Sequence, residues 1–290
     1  MKFAPRDAVR IPAIHRFGLG RPRVKQRRPI ALRVLPPRIA GSVFDRYYRA
    51  RLDRWLPLYR NAGLRAAPEV SMELVPGDRV SDLIAFTGVH EAELTRRARK
   101  LARRGGKMVD IGANLGYFSL LWAAAHVSNR CIAFEAAPRN LEILSRNVAR
   151  NGMSERIRMV PCAAAVQSGK LWFDLGPEEQ CGWGGIAAEA GERRIEVDAV
   201  RVDEVVDTEE AIALLKVDVE GADAWALMGC ERLLRAKLVD EIWFEQNRPR
   251  MELLGIPPNA AQEYLESVGY RCTPHDDVRA PLVQWSAVRR

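Results

Sequence analysis

The chain has no apolar run near the ~18 residues that a bilayer-spanning helix needs, and its start lacks the apolar block of a secretory signal peptide. A membrane-embedded or exported protein is not expected. Cysteine is scarce: five residues, at 131, 162, 181, 230 and 272, odd in number and widely spaced, with no CxxC pair and no clustered histidine. That pattern excludes a disulfide framework and a zinc site, so no metal is expected and a reducing, cytoplasmic compartment is. Residues 1–41 contain no Ser or Thr, which leaves organelle import a second reading despite an Arg-rich start. Internal repeats and low-complexity tracts are also missing.

Of the 290 residues, 48% are hydrophobic and 28% charged, the composition of a folded, soluble protein with one large α/β domain and an extension, or two small domains. The net charge of +8 is unevenly spread: residues 1–40 hold eleven Lys or Arg against Asp7 alone, leaving residues 41–290 at about −2. The basic arm suits an anionic partner, such as a membrane surface near a glycan or lipid-linked substrate, or a second subunit. A solvated arm is the equal alternative. With only Phe3 and Phe17 among its cations it lacks the stacking residues of single-strand binders, so nucleic acid is disfavoured. Prolines at 5, 12, 22, 29, 36 and 37 predict a basic, extended or irregular segment over 1–41.

Three expectations cover residues 42–106 as a helical and hairpin subdomain. Phe44, Tyr48, Leu52 and Trp55 fall on one helical face ending near Pro57. Two short apolar runs, 71–75 and 79–86, flank the turn dipeptide Pro76-Gly77 as a hairpin. His90–Arg104 is an amphipathic helix stopped by Gly105-Gly106. From Lys107 to the end, strands alternate with helices: strand 107–111, helix 115–126, strand 131–134, helix 138–150, strand 157–162. After an antiparallel excursion built on 171–175 and 194–200, the pattern resumes with strand 213–219, helix 222–235, strand 241–245, helix 260–268 and final runs at 270–273 and 282–288. The expected fold is α/β, a Rossmann-like, doubly wound, mostly parallel sheet with a C-terminal antiparallel strand, occupying residues 107–290.

The chemistry concentrates at Val109-Asp110-Ile111-Gly112-Ala113-Asn114-Leu115-Gly116, an apolar strand turning through two glycines into a helix. Glycine admits a ligand to the backbone, and the carboxyl end of a parallel strand is where open α/β sheets bind ligands. Dinucleotide turns read GxGxxG to admit a pyrophosphate, whereas Asn114 makes this one GxxxG, and Asp110 beside it would repel phosphate and favour an ammonium group. Those features point to S-adenosylmethionine. Glu135 ends the next strand, 23 residues after Gly112, where a carboxylate would bond both ribose hydroxyls. Cys162 and Ala163 occupy the place of a small residue against an adenine face, and Gly116, Tyr117 and Ala136 complete the expected cofactor-binding set.

Lys216-Val217-Asp218-Val219-Glu220 places three ionisable side chains on one face of a strand expected to be buried on both sides, a costly arrangement unless paired or used. Asp218 is the first candidate base or acceptor-orienting group and Glu220 the second. A structural alternative stays open: a Lys216–Asp218 ion pair, with Glu220 favouring a helix start. His90, Glu245 and Asn247 are candidate acceptor-pocket residues. Trp183, within the glycine-rich loop 181–185, is a candidate lid residue or a packing residue.

Over residues 88–270 the chain resembles the FkbM-type methyltransferases, a branch of the class I S-adenosylmethionine enzymes. The resemblance rests on the Gly88–Leu94 lead-in, DIGANLGYFSL at 110–120, AFEAAPRN at 133–140, the 163–169 segment, LKVDVEGAD at 215–223 and WFEQN at 243–247. It implies O-methylation of a hydroxyl on a sugar, glycan or secondary metabolite. Asp223 in place of the usual Glu, and Cys162 in place of a polar residue, depart from the family pattern. The alternatives are an RNA methyltransferase using the basic arm and a non-catalytic, cofactor-binding scaffold.

Overall fold

The computed structural model describes residues 28–49 and 54–290. The expectations for residues 1–27 lie outside them. The prolines at 29, 36 and 37 do not keep residues 28–41 irregular: α1 (Ile30–Val34) follows Pro29, and α2 (Pro37–Tyr47) opens on proline and runs across residue 41. A proline at the first helical position gives up an N–H that has no partner there anyway, so here the prolines start helices. For the same reason Pro57 sits in the first turn of α3 (Leu56–Arg60) and does not end the helix before it.

The expected hairpin around Pro76-Gly77 is absent. Strand β1 (Ala62–Gly63) pairs with β2 (Ser71–Met72), and residues 79–87 form helix α4 (Arg79–Thr87). Asp78 accepts a hydrogen bond from the Ser81 N–H at 2.8 Å, so the segment read as a strand carries its own N-cap. Helix α5 (Ala92–Ala102) buries Leu94, Ala98 and Leu101 as its periodicity requires.

The remaining elements follow the predicted alternation: β3 (Lys107–Ile111), α6 (Tyr117–Ala125), β4 (Arg130–Phe134), α7 (Pro138–Arg150) and β5 (Ile157–Val160). The excursion is a four-stranded sheet of β6 (Ala163–Ala164), β7 (Gly169–Asp174), β8 (Gly185–Ala187) and β9 (Arg194–Val200). Then come α8 (Val202–Val205), β10 (Ile212–Val217), α9 (Asp223–Met228), α10 (Glu231–Arg235), β11 (Glu241–Asn247), α11 (Arg248–Leu253), α12 (Ala260–Ser267), β12 (Tyr270–Pro274) and β13 (Leu282–Arg289). The single helix expected over 222–235 is two, with the break at Gly229 and Cys230; Gly229 passes so close to Ala165 that a Cβ would stand 2.3 Å from its carbonyl oxygen.

The main sheet has the order β12-β13-β11-β10-β3-β4-β5, with β13 antiparallel to both neighbours. Strand alternation divides its apolar residues between two cores. Met108, Ala133, Leu214 and Trp243 join the N-terminal helices on one face, while Val109, Ile132, Leu215 and Phe244 meet α9 and α12 on the other. The chain winds outward from β3 to β5 and returns to β10, so the topological switch point lies between the carboxyl ends of β3 and β10. Among the described residues no helix is long and apolar enough to cross a membrane.

Asn147 of α7, fully buried, fastens the β2 segment to this body. Its Oδ1 accepts the Glu73 N–H at 2.6 Å, and its Nδ2 donates to the Glu73 and Leu115 carbonyls, each at 3.0 Å. Asn147→Ala leaves these groups unpaired and is expected to cost about 1–3 kcal/mol. The urea midpoint should fall accordingly; an unchanged midpoint would show that the attachment does not depend on this residue.

Candidate functional site

At the switch point the backbone of β3 turns at Gly112, whose φ of +78° lies in the left-handed region. A Cβ there would stand 1.9 Å from the Asp218 carbonyl oxygen, so only glycine lets β3 and β10 end side by side. The turn opens into a cavity bounded by Gly112, Asn114, Glu135, Asp218, Glu220 and the Cys181–Gly182 stretch of the excursion.

Beneath the turn lies a buried ionic cluster. Asp110 and Lys216 are register partners on β3 and β10. The Lys216 Nζ is 3.4 Å from Asp110 Oδ1, 3.4 Å from Asp218 Oδ2, and donates to the Gly112 carbonyl at 3.2 Å. Ser119 Oγ donates to the other Asp110 oxygen at 2.6 Å. Burial works against the ammonium charge, but Asp218, Asp110 and Glu91 together outweigh it and hold Lys216 protonated. Fully buried, Asp110 is not among the residues lining the cavity, and the ammonium beside it is that of Lys216. Gly116 is also set back: at the start of α6 it makes room for Leu144, whose Cδ1 would lie 2.6 Å from a Cβ.

On one side of the cavity stand the predicted Glu135, Ala136, Cys162 and Ala163, while the predicted Tyr117 packs edge-on against the His90 ring, 5.7 Å between centroids. Glu135 accepts the Asn114 N–H at 2.8 Å and the Ala137 N–H at 2.9 Å, and burial still pushes its carboxyl up to about 7 against the pull of those bonds. Oε1 also meets Asn140 Nδ2 at 3.5 Å, so Oε2 is the oxygen that keeps a lone pair for a further donor. Burial also raises the Cys162 thiol.

His90, Glu220 and Glu245 line the other side, joined by Glu91, which sequence reasoning missed. Glu91 carries no motif, and it reaches the cavity because α5 docks with its N-terminus there in a left-handed conformation, φ +41°. Burial lowers the His90 imidazole to about 4, with Asp218 opposing and Lys216 reinforcing. Burial, with Asp218 adding, pushes Glu91 up to about 8, Glu220 to about 7 and Glu245 to about 10. Asn247 and Trp183 are not among the lining residues: Asn247 donates to Glu220 Oε2 at 3.1 Å, and the Trp183 ring is 52% exposed. No cluster of His, Cys, Asp and Glu able to hold a metal occurs among the described residues.

Residues 110–272, more than half the chain, match the Methyltransferase FkbM domain family. The chain belongs to this family. Its cofactor is S-adenosylmethionine. The FkbM-family chain is 30% identical over 186 residues to a protein described as Methyltransferase sdnD from Sordaria araneosa, an overlap of 51% of this chain and 70% of that one. Among solved structures it is similar to Methyltransferase FkbM from Methylobacillus flagellatus KT, at 16% identity and a TM-score of 0.46, covering 83% of this chain. It spans 60% of the length of that structure. A precorrin-6y C5,15-methyltransferase from Geobacter metallireducens GS-15 is similar at 13% identity over 69% of this chain and 91% of that one, with a TM-score of 0.41.

The raised carboxyls set a pH dependence with a definite sign. Glu245 keeps its proton in the folded state up to about 10, whereas the unfolded chain releases it near 4.5, so folding loses stability as pH rises through that window. Glu245→Gln cannot ionise, and its melting temperature relative to the parent should climb steadily from pH 5 to pH 9. A constant difference across that range would show that Glu245 ionises as an exposed carboxylate does.

Proposed function

We propose that this FkbM-family chain transfers the methyl group of S-adenosylmethionine to a hydroxyl oxygen of a sugar, glycan or secondary metabolite. The observation that carries this reading is a single switch-point cavity with Glu135 on one side of the Gly112 turn and Asp218, Glu220, Glu91 and His90 on the other. The cofactor supplies a methyl group on a sulfonium, a reactive electrophile. The donor set fits it: Glu91, Glu135, Asp218, Glu220 and Glu245 share the lining with Lys216, and acids that burial keeps protonated there would ionise more readily beside a ligand bearing sulfonium and ammonium charges. Glu135 would hold a ribose hydroxyl through Oε2, with Ala136, Cys162 and Ala163 beside the adenine.

Within that reading the two acids of the turn that follows β10 divide the work; the strand ends at Val217, and Glu220 has a left-handed φ of +54°. Lys216 occupies one Asp218 oxygen, which makes Asp218 the better orienting group for an acceptor hydroxyl. Glu220, held by Asn247 and with its carboxyl near 7, is the better proton acceptor at neutral pH. His90, neutral at that pH, and Glu245 would shape the acceptor side. Positioning supplies the remainder, since methyl transfer from sulfur is an in-line displacement.

Calorimetry with S-adenosylmethionine, alongside tritiated-methyl transfer from labelled cofactor into a metabolite extract, checks this. Glu220→Gln is expected to bind the cofactor within a few-fold of the parent and to lose roughly 10²-fold or more of its transfer rate. Absence of cofactor binding in the parent would overturn the reading, and full transfer by Glu220→Gln would remove that residue from the chemistry.

A further inference from the structure

Two acceptor atoms in the cavity wall have no donor. Asn140 Oδ1 and Asn114 Oδ1 are buried without a hydrogen-bond partner, and both residues line the cavity. A buried amide oxygen left without a donor is destabilising, so a pair of them beside one cavity calls for a ligand that presents N–H or O–H groups there. Both residues are tied to Glu135: Asn114 through its N–H, and Asn140 through Nδ2, 3.5 Å from Oε1.

Asn140, only 3% exposed, also has a second attachment. Its Nδ2 donates at 2.8 Å to the Cys181 carbonyl, in the 175–184 loop whose Cys181, Gly182 and Gly184 form part of the cavity wall. The preceding residue, Arg139, grips the same loop. Its guanidinium donates to the carbonyls of Leu175, Pro177 (3.0 Å), Glu178 (3.4 Å) and Gln180 (3.1 Å). The first turn of α7 thus touches the Glu135 carboxylate on one side and holds the loop by its backbone on the other.

We propose that Asn140 is a cofactor-binding residue with two roles: its Oδ1 accepts a ribose hydroxyl, and its Nδ2 holds the Cys181 carbonyl, so that the bound cofactor fixes the 175–184 loop as a cover. The inference rests on the cavity being the S-adenosylmethionine site. A ribose hydroxyl is the donor that fits, because Asn140 shares Glu135, the carboxylate assigned to the neighbouring hydroxyl. Arg139 is a positioning residue that acts on the loop alone.

The test uses S-adenosylhomocysteine and its 2′-deoxy and 3′-deoxy analogues in calorimetry, with Glu-C proteolysis at the exposed Glu178 and Glu179 as the loop readout. In the parent, one deoxy analogue should bind roughly tenfold or more weakly, and S-adenosylhomocysteine should slow cleavage. Asn140→Ala should bind that analogue and S-adenosylhomocysteine equally and lose the protection. Arg139→Ala should lose the protection yet keep the deoxy penalty, which tests the loop role even if Asn140→Ala folds poorly. Penalties for the two deoxy analogues that are both the same in Asn140→Ala as in the parent, or cleavage indifferent to S-adenosylhomocysteine in a parent that binds it, would overturn the proposal. A parent that binds neither compound would instead overturn the cofactor site itself.

Discussion

The site depends on one buried cation. Lys216 lies between β3 and β10, and with its ammonium placed against Asp110, Asp218 and the Gly112 carbonyl it joins the two strands at the point where the winding of the sheet reverses. Its burial carries a desolvation cost that two carboxylates and a carbonyl must offset, and removing any of them would leave an uncompensated charge in the core. That requirement couples the geometry of the glycine turn to the position of Asp218. Gly112 can come within van der Waals range of Asp218 because it has no side chain, and Lys216 holds Asp218 there by charge.

The surplus of carboxylates around this cluster follows from it. One ammonium can pair with two carboxylates but cancels the charge of only one, and Lys216 already has Asp110 and Asp218. Glu91, Glu220 and Glu245 are left facing a partly buried cavity with little positive charge to share, and each responds by holding its proton more tightly. A protein that keeps such groups near one another bears a cost in stability, and the cost is recovered only when something cationic or rich in donors enters. The same accounting applies to the orphaned amide oxygens of Asn114 and Asn140. The amide oxygens lack a donor, and the protonated acids lack the cation beside which they would ionise.

Much of this was legible in the residues. The βα alternation from Lys107 onward, the antiparallel excursion and the reversed last strand all appear where periodicity put them, since long segments with a clear period of two or 3.6 carry their own structure. The N-terminal part was misread for local reasons. Residues 79–86 hold enough apolar side chains to pass as a strand until Asp78 is recognised as a cap, and prolines that normally break helices stand here at helix starts. Within the site, Gly112, Glu135, Asp218 and Glu220 belong to motifs on strand ends and came together as their spacing required. Glu91 could not be found that way, since it reaches the cavity through the docking of α5 against the sheet. Asp110 was read correctly as an acid that seeks an ammonium, but the choice between a ligand and Lys216 depended on the cross-strand register of β3 and β10.

That register also explains why the lysine alternative and the functional one are not rivals. An ion pair between Lys216 and Asp218 would argue for a purely structural role if it consumed the whole carboxylate, yet it takes one oxygen at 3.4 Å and leaves Asp218 among the residues lining the cavity. Asp110, by contrast, is fully enclosed, with both oxygens directed at Ser119 and Lys216. The two aspartates therefore share one cation with different consequences. The inner one anchors Lys216, and the outer one is held in place by it while still open to a ligand. A structural ion pair and a poised carboxylate are here the two ends of the same interaction, and the difference between them is depth below the glycine turn.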